Sequence, residues 1–238
     1  MDGTATRPRR VAVLLAGGTG TRTGLGRPKQ LVELRGRTIL EHSLRALHDH
    51  PAVDEVVVVM AAGHLDAARA VAARYPRVAA VIVGGATRRE STLAALDHLA
   101  GRDCHLLLHD AARPLVTRRV VGECLAALET YAAVATVVPA SDTVFEVGPE
   151  GTISGVPARD SLRRAQTPQA FHSAVLRRAY ALALTDPDFD ATDDCTVVHR
   201  YLPEVPVGLV AGDERNLKVT TSVDLVLAEA LLALDDDR

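Results

Sequence analysis

The sequence offers little that would direct the chain to a membrane, a nucleic acid or a charged surface. Its formal net charge is only −3, from 27 Lys and Arg against 30 Asp and Glu, so electrostatics single out no partner. No stretch reaches the roughly 18 apolar residues that a membrane span requires. The polar segment Met1–Arg10 is followed only by the short apolar run Val11–Ala16, which is not typical of a secretory signal. We therefore expect a cytoplasmic protein that binds neither nucleic acid nor membrane.

Cysteine and aromatic residues are scarce as well. The three cysteines, Cys104, Cys124 and Cys195, are scattered without a Cys-x-x-Cys pair, which predicts free buried thiols and argues against a zinc site. Aromatic residues make up 3% of the chain, and we attribute this to the source genome. Hydrophobic residues at 47% and charged residues at 24% are typical of a soluble globular protein. The 238 residues suffice for one large domain, and we expect them to form a single one.

Apolar runs alternate with amphipathic stretches along most of the chain. The runs predict strands at Val11–Ala16, Glu55–Met60, Val78–Val83, His105–His109, Ala133–Pro139 and Val207–Val210. The amphipathic stretches predict helices at Ile39–His48, Leu65–Arg74, Arg89–Leu99, Thr117–Thr130, Ser173–Leu184 and Ser222–Leu234. Strands that are apolar on both faces and separated by helices indicate an α/β fold with a doubly wound, mainly parallel, Rossmann-like sheet.

The alternation stops after Pro139. Residues 141–162 contain several glycines and two short strand-like pieces, Thr143–Val147 and Thr152–Val156. This pattern predicts a β-arm that leaves the sheet.

A Gly-rich loop follows the first predicted strand. Gly17, Gly18 and Gly20 lie within four residues, and glycines allow backbone N–H groups to approach an anion closely. Arg22 and Lys29 then add positive charge, which suits a triphosphate. The loop is not a Walker motif, because no Gly-Lys-Ser/Thr follows. A tight strand-to-helix turn is the alternative for the glycines alone.

Three other groups of residues, at or just after the ends of predicted strands, could contact a ligand. Asp110, at the carboxyl end of a buried strand, could hold ribose or substrate hydroxyls or help to bind a metal, or could simply cap the next helix. The Arg113 guanidinium suits a phosphate or carboxylate, unless it is an ordinary surface arginine. The pair Gly84-Gly85 would allow a base to approach, or would form a plain turn. We interpret His109 as structural, because attack by an ionised phosphate needs no base.

The order of Gly-rich loop, Arg and Pro-Lys resembles the sugar-phosphate nucleotidyltransferases. Four further pieces occur in matching order: Gly84-Gly85 with Arg88 and Ser91, His109–Pro114, Gln166–Phe171 and Asn216–Thr221. From about Val11 to Leu234 the chain resembles the 2-C-methyl-D-erythritol 4-phosphate cytidylyltransferases, and equally their relatives that act on ribitol 5-phosphate. The resemblance implies CTP as donor, Mg²⁺ as cofactor, a phosphorylated polyol as acceptor and a homodimer formed through the β-arm.

The resemblance, added to the local chemistry above, implies three groups of site residues. It alone implies the role of Lys218, which would otherwise be a solvated surface lysine, and those of all the threonines and of Arg159. The catalytic group is Arg22, Lys29 and Lys218. The nucleotide-binding group is Ala16, Gly17, Gly18, Gly20, Gly84, Gly85, Arg88, Ser91, Asp110 and Ala111, with Asp110 also a candidate metal ligand. The acceptor-binding group is Arg113, Thr143, Arg159, Thr167, Thr192 and Thr220, in which the resemblance implies that Arg159 serves the neighbouring subunit.

The identity of the acceptor rests on small differences. Methylerythritol enzymes usually open with Pro-Ala-Ala-Gly, whereas this chain has Leu15-Ala16-Gly17-Gly18, a form common in the ribitol relatives. Cys195 also resembles the ribitol relatives, while Thr192-Asp193-Asp194 and Asp213–Asn216 suit the methylerythritol group. The segment Thr192-Asp193-Asp194 is also a candidate helix start. We rank the methylerythritol reaction of isoprenoid synthesis first, mainly because that group is larger. Synthesis of CDP-ribitol for cell-surface polymers is the alternative.

Two other classes of protein compete with a nucleotidyltransferase. A dinucleotide-dependent oxidoreductase needs a complete Gly-x-Gly-x-x-Gly and an acid after the second strand, where this chain has Met60-Ala61-Ala62-Gly63. A non-catalytic nucleotide-binding regulator would bind CTP without releasing pyrophosphate, and it would not need Arg22, Lys29 and Lys218 together.

Overall fold

The fold is built from eleven strands and seven helices within the residues that the computed structural model describes, which are 7–18, 28–189 and 192–236. The strands are β1 (Arg9–Ala16), β2 (Glu33–Leu34), β3 (Arg37–Thr38), β4 (Glu55–Met60), β5 (Val78–Val83), β6 (Cys104–Asp110), β7 (Ala133–Pro139), β8 (Glu146–Val147), β9 (Ile153–Gly155), β10 (Arg163–His172) and β11 (Val207–Ala211). The helices are α1 (Ile39–His48), α2 (Leu65–Ala72), α3 (Arg88–His98), α4 (Arg118–Ala127), α5 (Ser173–Ala183), α6 (Asp194–Tyr201) and α7 (Ser222–Asp236).

A seven-stranded sheet with the order β11-β7-β10-β6-β1-β4-β5 forms the centre. Every neighbouring pair is parallel except those made by β10, which is antiparallel to both β6 and β7. The predicted doubly wound, mainly parallel sheet is therefore confirmed.

Burial on both faces explains why the central strands are continuously apolar. Every residue of β4 is buried, as are the last six residues of β1. Alternate residues of β1 point to opposite sides, so that Ala12 and Leu14 join one core cluster and Val11 and Val13 join another. Burying each such aliphatic side chain contributes about 1.5–3 kcal/mol, which fixes the register of the strand.

Most predicted elements match the structure to within a few residues, and three differences are informative. The strand β10 was not predicted, because its sequence holds Arg163, Arg164 and two glutamines beside Pro168 and lacks an apolar run. Of α6 only a candidate start at Thr192-Asp193-Asp194 was recognised. The arm is present as the hairpin β8–β9, shorter than the predicted pieces.

The strand order creates a position for a ligand at the carboxyl ends of two central strands. Connections from β1 run to β4 on one side, whereas β6 lies on its other side. The carboxyl ends of β1 and β6 therefore form a switch point, where open α/β sheets bind their ligands. Leu15 of β1 lies opposite Asp110 of β6 there. Among the described residues no helix is both long and apolar enough to cross a membrane.

Candidate active site

A cleft of about 210 Å³ opens at this switch point. Nine of the predicted site residues line it: Ala16, Gly17, Gly18, Lys29, Arg88, Ser91, Asp110, Ala111 and Lys218. The sequence contains only two lysines, and both of them line this cleft. The structure thus brings together the described part of the loop, two of the three predicted catalytic cations and Asp110.

The Gly-rich loop is held by a side chain that sequence reasoning did not assign. The buried Gln30 donates from Nε2 to the carbonyl oxygens of Ala16 (2.5 Å) and Gly18 (2.7 Å). Both bonds tie the end of β1 to the short helical turn Lys29–Leu31, which carries Lys29. The loop and Lys29 are therefore positioned by one amide. The predicted residues Gly20 and Arg22 lie outside the described residues.

Close packing explains two of the glycines. A Cβ at Gly17 would lie 2.5 Å from the Ser91 Oγ, and one at Gly84 would lie 2.7 Å from the same atom. The Ser91 hydroxyl itself donates to the carbonyl of Thr87, at the start of α3. Thr87 and Glu90 form a capping box that fixes this helix start. Gly84 and Gly85 thus border the cleft without lining it.

Five side chains form a chain of hydrogen bonds and ion pairs that we call the Arg88 network. Lys218 Nζ lies 2.7 Å from one oxygen of Asp110, and Arg88 Nε lies 3.2 Å from the other. Arg88 Nη1 then donates to Asp194 Oδ2 (2.5 Å), and the Tyr180 hydroxyl donates to Asp194 Oδ1 (2.6 Å). Positive and negative groups alternate from the cleft into the core.

The network keeps Asp110 ionised. Burial alone would raise the pKa of this carboxyl, but the positive charges of Arg88 and Lys218 outweigh it and hold the pKa well below its usual range. Burial likewise opposes the charge of Arg88, yet Asp194 and Asp110 raise the pKa of its guanidinium. Burial and the charge of Asp194 raise the pKa of Tyr180, so it stays a neutral donor.

A second set of hydrogen bonds fixes the backbone of Asp110. The buried Thr167 hydroxyl accepts from the Asp110 N–H (3.0 Å) and lies 3.0 Å from His109 Nδ1. His109 Nε2 lies 3.1 Å from the carbonyl oxygen of Arg113. Burial lowers the pKa of His109 to about 4, so the ring is neutral at pH 7. The neutral ring donates from Nε2 to that carbonyl and accepts the Thr167 proton at Nδ1, which supports a structural role for His109.

The segment that carries Lys218 has no regular secondary structure and is held from both sides. The buried Asn216 side chain donates to the Thr167 carbonyl (2.8 Å), while Arg113 Nη1 donates to the Asn216 carbonyl (2.7 Å). The Val219 N–H donates to the Ala112 carbonyl (2.8 Å). Lys218 therefore projects into the cleft between two backbone anchors.

The predicted acceptor-binding residues do not line this cleft. Thr143 and Arg159 are exposed on the arm segment, and Thr192 is exposed just before α6. Thr167 and Arg113 make the internal contacts described above, and the Thr220 hydroxyl donates to Asp224 at the start of α7. Their direct contact with an acceptor stays a prediction.

Sequence reasoning missed three residues that shape the site: Gln30, Tyr180 and Asp194. A glutamine directly after Lys29 in a short loop was a usable signal, because a polar side chain there can satisfy loop carbonyls. Asp194 and Tyr180 carried no such signal, since Asp194 meets Arg88 across 106 positions of sequence. Cys195, which resembles the ribitol relatives, is buried in the core with its Sγ 3.5 Å from the Val134 carbonyl, away from the cleft.

The donor set of the cleft fits a magnesium ion bound together with a triphosphate. Asp110 is the one carboxylate among the described residues that line the cleft. Nowhere in residues 7–18, 28–189 and 192–236 do three His, Cys, Asp or Glu side chains gather as a complete metal site. Mg²⁺ ordinarily takes one or two protein carboxylates and completes its shell with phosphate oxygens and water.

A Gly-rich strand end, two lysines and an ionised carboxylate at the switch point of a doubly wound sheet are the parts expected of an α/β nucleotidyltransferase. Comparison with known sequences defines the class further. The family model described as 2-C-methyl-D-erythritol 4-phosphate cytidylyltransferase matches residues 10–234. The chain belongs to this family of CTP-dependent cytidylyltransferases.

Individual relatives favour the methylerythritol group over the ribitol alternative. A 2-C-methyl-D-erythritol 4-phosphate cytidylyltransferase of Thermobifida fusca (strain YX) is 53% identical over 234 residues, which cover 95% of this chain and 94% of the relative. The bifunctional ribulose 5-phosphate reductase/CDP-ribitol pyrophosphorylase of Haemophilus influenzae is 37% identical over 94% of this chain, which spans 48% of that longer protein. The solved 4-diphosphocytidyl-2C-methyl-D-erythritol synthase of Anaerococcus prevotii superposes with a TM-score of 0.85 at 26% identity, over 95% of this chain and 96% of the other.

Proposed function

We propose that this protein transfers the cytidylyl group of CTP to 2-C-methyl-D-erythritol 4-phosphate and releases pyrophosphate. The observation that carries the proposal is that Gly17, Gly18, Lys29, Lys218 and the ionised Asp110 line one cleft. The family match and the 53% identical relative support the choice of donor and acceptor. We also propose a cytoplasmic location, because the three cysteines are free thiols, as in a reducing compartment.

In this mechanism the loop amides hold the triphosphate, and an oxygen of the acceptor phosphate attacks the α-phosphorus in line. The bond between the α- and β-phosphates breaks and pyrophosphate leaves. The acceptor phosphate is already ionised, so positioning and charge neutralisation supply the rate. Lys29 and Lys218, together with Arg22, neutralise the charge that develops on the transferring phosphate.

Asp110 has two proposed roles in the same site. Its carboxylate accepts hydrogen bonds from the ribose hydroxyls of CTP, or it would serve as a ligand of Mg²⁺. A bound Mg²⁺ ion would screen the phosphate oxygens and stabilise the leaving pyrophosphate. The protein keeps this carboxylate charged through Arg88 and Lys218.

We propose that the acceptor site is completed by a second copy of the chain. The arm exposes Phe145, Val147 and Ile153, with 51%, 68% and 60% of their surfaces accessible, which is unusual for a hairpin with no partner. Arg159, at the base of this arm, is exposed and is proposed to reach the acceptor phosphate of the neighbouring subunit. Thr143, Thr192 and Thr220 are proposed as further contacts to the acceptor.

Pyrophosphate release tests the proposed reaction. Purified protein is supplied with CTP and Mg²⁺ and with either 2-C-methyl-D-erythritol 4-phosphate or ribitol 5-phosphate. We expect pyrophosphate with the first acceptor. Pyrophosphate release with ribitol 5-phosphate alone would make ribitol 5-phosphate the acceptor. In parallel assays with ATP, GTP or UTP in place of CTP, release with one of these alone would overturn CTP as the donor.

A further inference from the structure

We propose that Asp194, supported by Tyr180, is a positioning residue that acts on the nucleotide through Arg88 and Asp110. The inference rests on the proposed role of Asp110 in binding the nucleoside part of CTP. Asp194 does not line the cleft, and its side chain is wholly inaccessible to solvent at the first position of α6.

The contacts of Asp194 are those of a carboxylate that fixes a cation. A buried charge is stable only when it is paired and hydrogen-bonded, and each Asp194 oxygen has one partner, Tyr180 or Arg88. Arg88 in turn is held at two nitrogens, Nη1 by Asp194 and Nε by Asp110. Because a guanidinium is planar, these two bonds determine its orientation.

Because Arg88 is shared between Asp194 and Asp110, it forms only one hydrogen bond to Asp110. Only Nε of Arg88 donates to Asp110, and the other Asp110 oxygen faces Lys218. If Asp194 loses its charge, Nη1 is released and Arg88 can turn until Nε and the unpaired Nη2, which lie on the same side of the guanidinium, form a bidentate pair with Asp110. Asp110 would then be drawn away from Lys218 and from a bound nucleotide.

Neutralising Asp194 also makes the cleft more positive, which by itself would strengthen the binding of any polyphosphate. The two effects are separated by comparing CTP with inorganic tripolyphosphate, which has the charge but no ribose or base. We define the affinity ratio as the affinity for CTP divided by the affinity for tripolyphosphate. The general charge effect cancels in this ratio, which therefore reports on the nucleoside contacts. We expect Asp194→Asn to lower this ratio about 10-fold, as for the loss of a residue that orients a ligand-binding group.

A double-mutant cycle tests whether the effect passes through Asp110. We expect Asp110→Asn to lower the ratio by itself, and Asp194→Asn to add nothing further in the double variant. Additive losses would overturn the inference. Tyr180→Phe keeps the charge of Asp194 and removes one hydrogen bond, so it should lower the ratio by about 2- to 5-fold and provides the test if Asp194→Asn does not fold.

Val198→Ala is the matched control for a loss of stability. Val198 is a fully buried core residue of the same helix, and its apolar side chain makes none of the hydrogen bonds or ion pairs of the Arg88 network. We expect it to lower the melting temperature without changing the affinity ratio. An equal drop in the ratio with Val198→Ala would show that a loosened α6, and not Arg88, is responsible, and would overturn the inference.

The crystal structure of Asp194→Asn gives a readout that does not depend on CTP. The inference predicts that both Nε and Nη2 of Arg88 contact Asp110 in this variant, Nη2 being the buried guanidinium nitrogen that has no hydrogen-bond partner in the wild-type structure. An Arg88 that keeps its original orientation would overturn it. If the wild-type protein binds CTP no better than tripolyphosphate, the proposed function fails, and this structure alone decides the inference.

Discussion

The two lysines of the chain occupy different settings within one cleft. Lys218 is 41% exposed, and its ammonium is aligned by Asp110, while Lys29 follows Pro28 on the short turn that Gln30 ties to the Gly-rich loop. Neither setting resembles a solvated face, where lysines normally lie. Because both lysines line the same cleft, we expect both of them to contribute to catalysis.

Lys29→Ala and Lys218→Ala should each lower kcat by about 10²- to 10³-fold, as does the loss of one group that stabilises a developing negative charge. Steady-state turnover with saturating CTP measures this. Lys218→Arg is the matched variant, which keeps the charge but not the compact ammonium, and it should recover only part of the rate. Near-normal kcat in both alanine variants would remove the lysines from the mechanism.

His109 predicts how stability depends on pH. The folded protein keeps the ring neutral down to a pKa of about 4, whereas the unfolded chain takes up a proton near 6.5. Acid therefore favours the unfolded state between these values, and stability is lost as the pH falls from about 6.5 to 4, by about 3 kcal/mol. Denaturant melts at several pH values should show a shallower loss in His109→Gln.

The slope of stability against pH will not vanish in His109→Gln, because burial also lowers the pKa of His50 and of His105. His199→Gln, an exposed change on α6, is the control and should leave the slope as it is. An unchanged slope in His109→Gln would contradict the structural role assigned to the neutral ring.

At the scale of elements, the site depends on how closely the Gly-rich loop packs against α3. Gly17→Ala places a Cβ 2.5 Å from the Ser91 Oγ but 3.7 Å from the Ser91 Cβ. We expect it to lower stability by about 1–3 kcal/mol, the usual penalty of overpacking. Ser91→Ala should restore most of this loss in the double variant, as measured by melting temperature.

Gly84→Ala provides the contrast, because its new Cβ would also lie 2.9 Å from Cγ1 of Val59. Ser91→Ala should therefore fail to rescue it. A Gly17→Ala variant that Ser91→Ala does not rescue would show that packing between loop and helix is not the cause, and equal rescue of Gly84→Ala would contradict the role given to its contact with Val59.

The elements also show what the sequence reveals and what it hides. The strands β4 and β7 have the predicted bounds, because a strand that is buried on both faces must be apolar throughout. The edge strand β5 also has the predicted bounds, although its residues are only partly buried or exposed. The strand β10 escapes such reasoning, since Gln166, Thr167 and Gln169 are buried but engaged in hydrogen bonds to other parts of the chain or placed at a bulge. Local motifs likewise identify Lys29 and Asp110, whereas Asp194 becomes visible only when the fold brings α6 to Arg88.

At the scale of the whole molecule, the account requires two copies of the chain. If Arg159 serves the neighbouring subunit, then Arg159→Ala and Lys218→Ala inactivate a site from different chains. Mixing the two inactive variants should restore about a quarter of wild-type activity, since half of the dimers are mixed and each holds one intact site. The mixture is assayed after subunit exchange, and each variant alone is the control.

Activity that stays absent after confirmed exchange would mean that Arg159 acts within its own chain. A wild-type protein that sediments as a monomer at working concentration would contradict the arm-mediated dimer itself. Phe145→Asp and Val147→Glu should shift the sedimentation towards monomer, because they place charge on the exposed apolar surface of the arm.

The central claim is that this cleft transfers a cytidylyl group, and the fate of the α-phosphorus of CTP tests it most directly. CTP labelled at the α-phosphorus is incubated with the protein, Mg²⁺ and 2-C-methyl-D-erythritol 4-phosphate, and the products are separated. The account predicts that the label enters a product containing both cytidine and methylerythritol, in amounts equal to the pyrophosphate released, and that Lys29→Ala and Lys218→Ala suppress both. Label that remains in CTP, or that appears only in CMP, would contradict it.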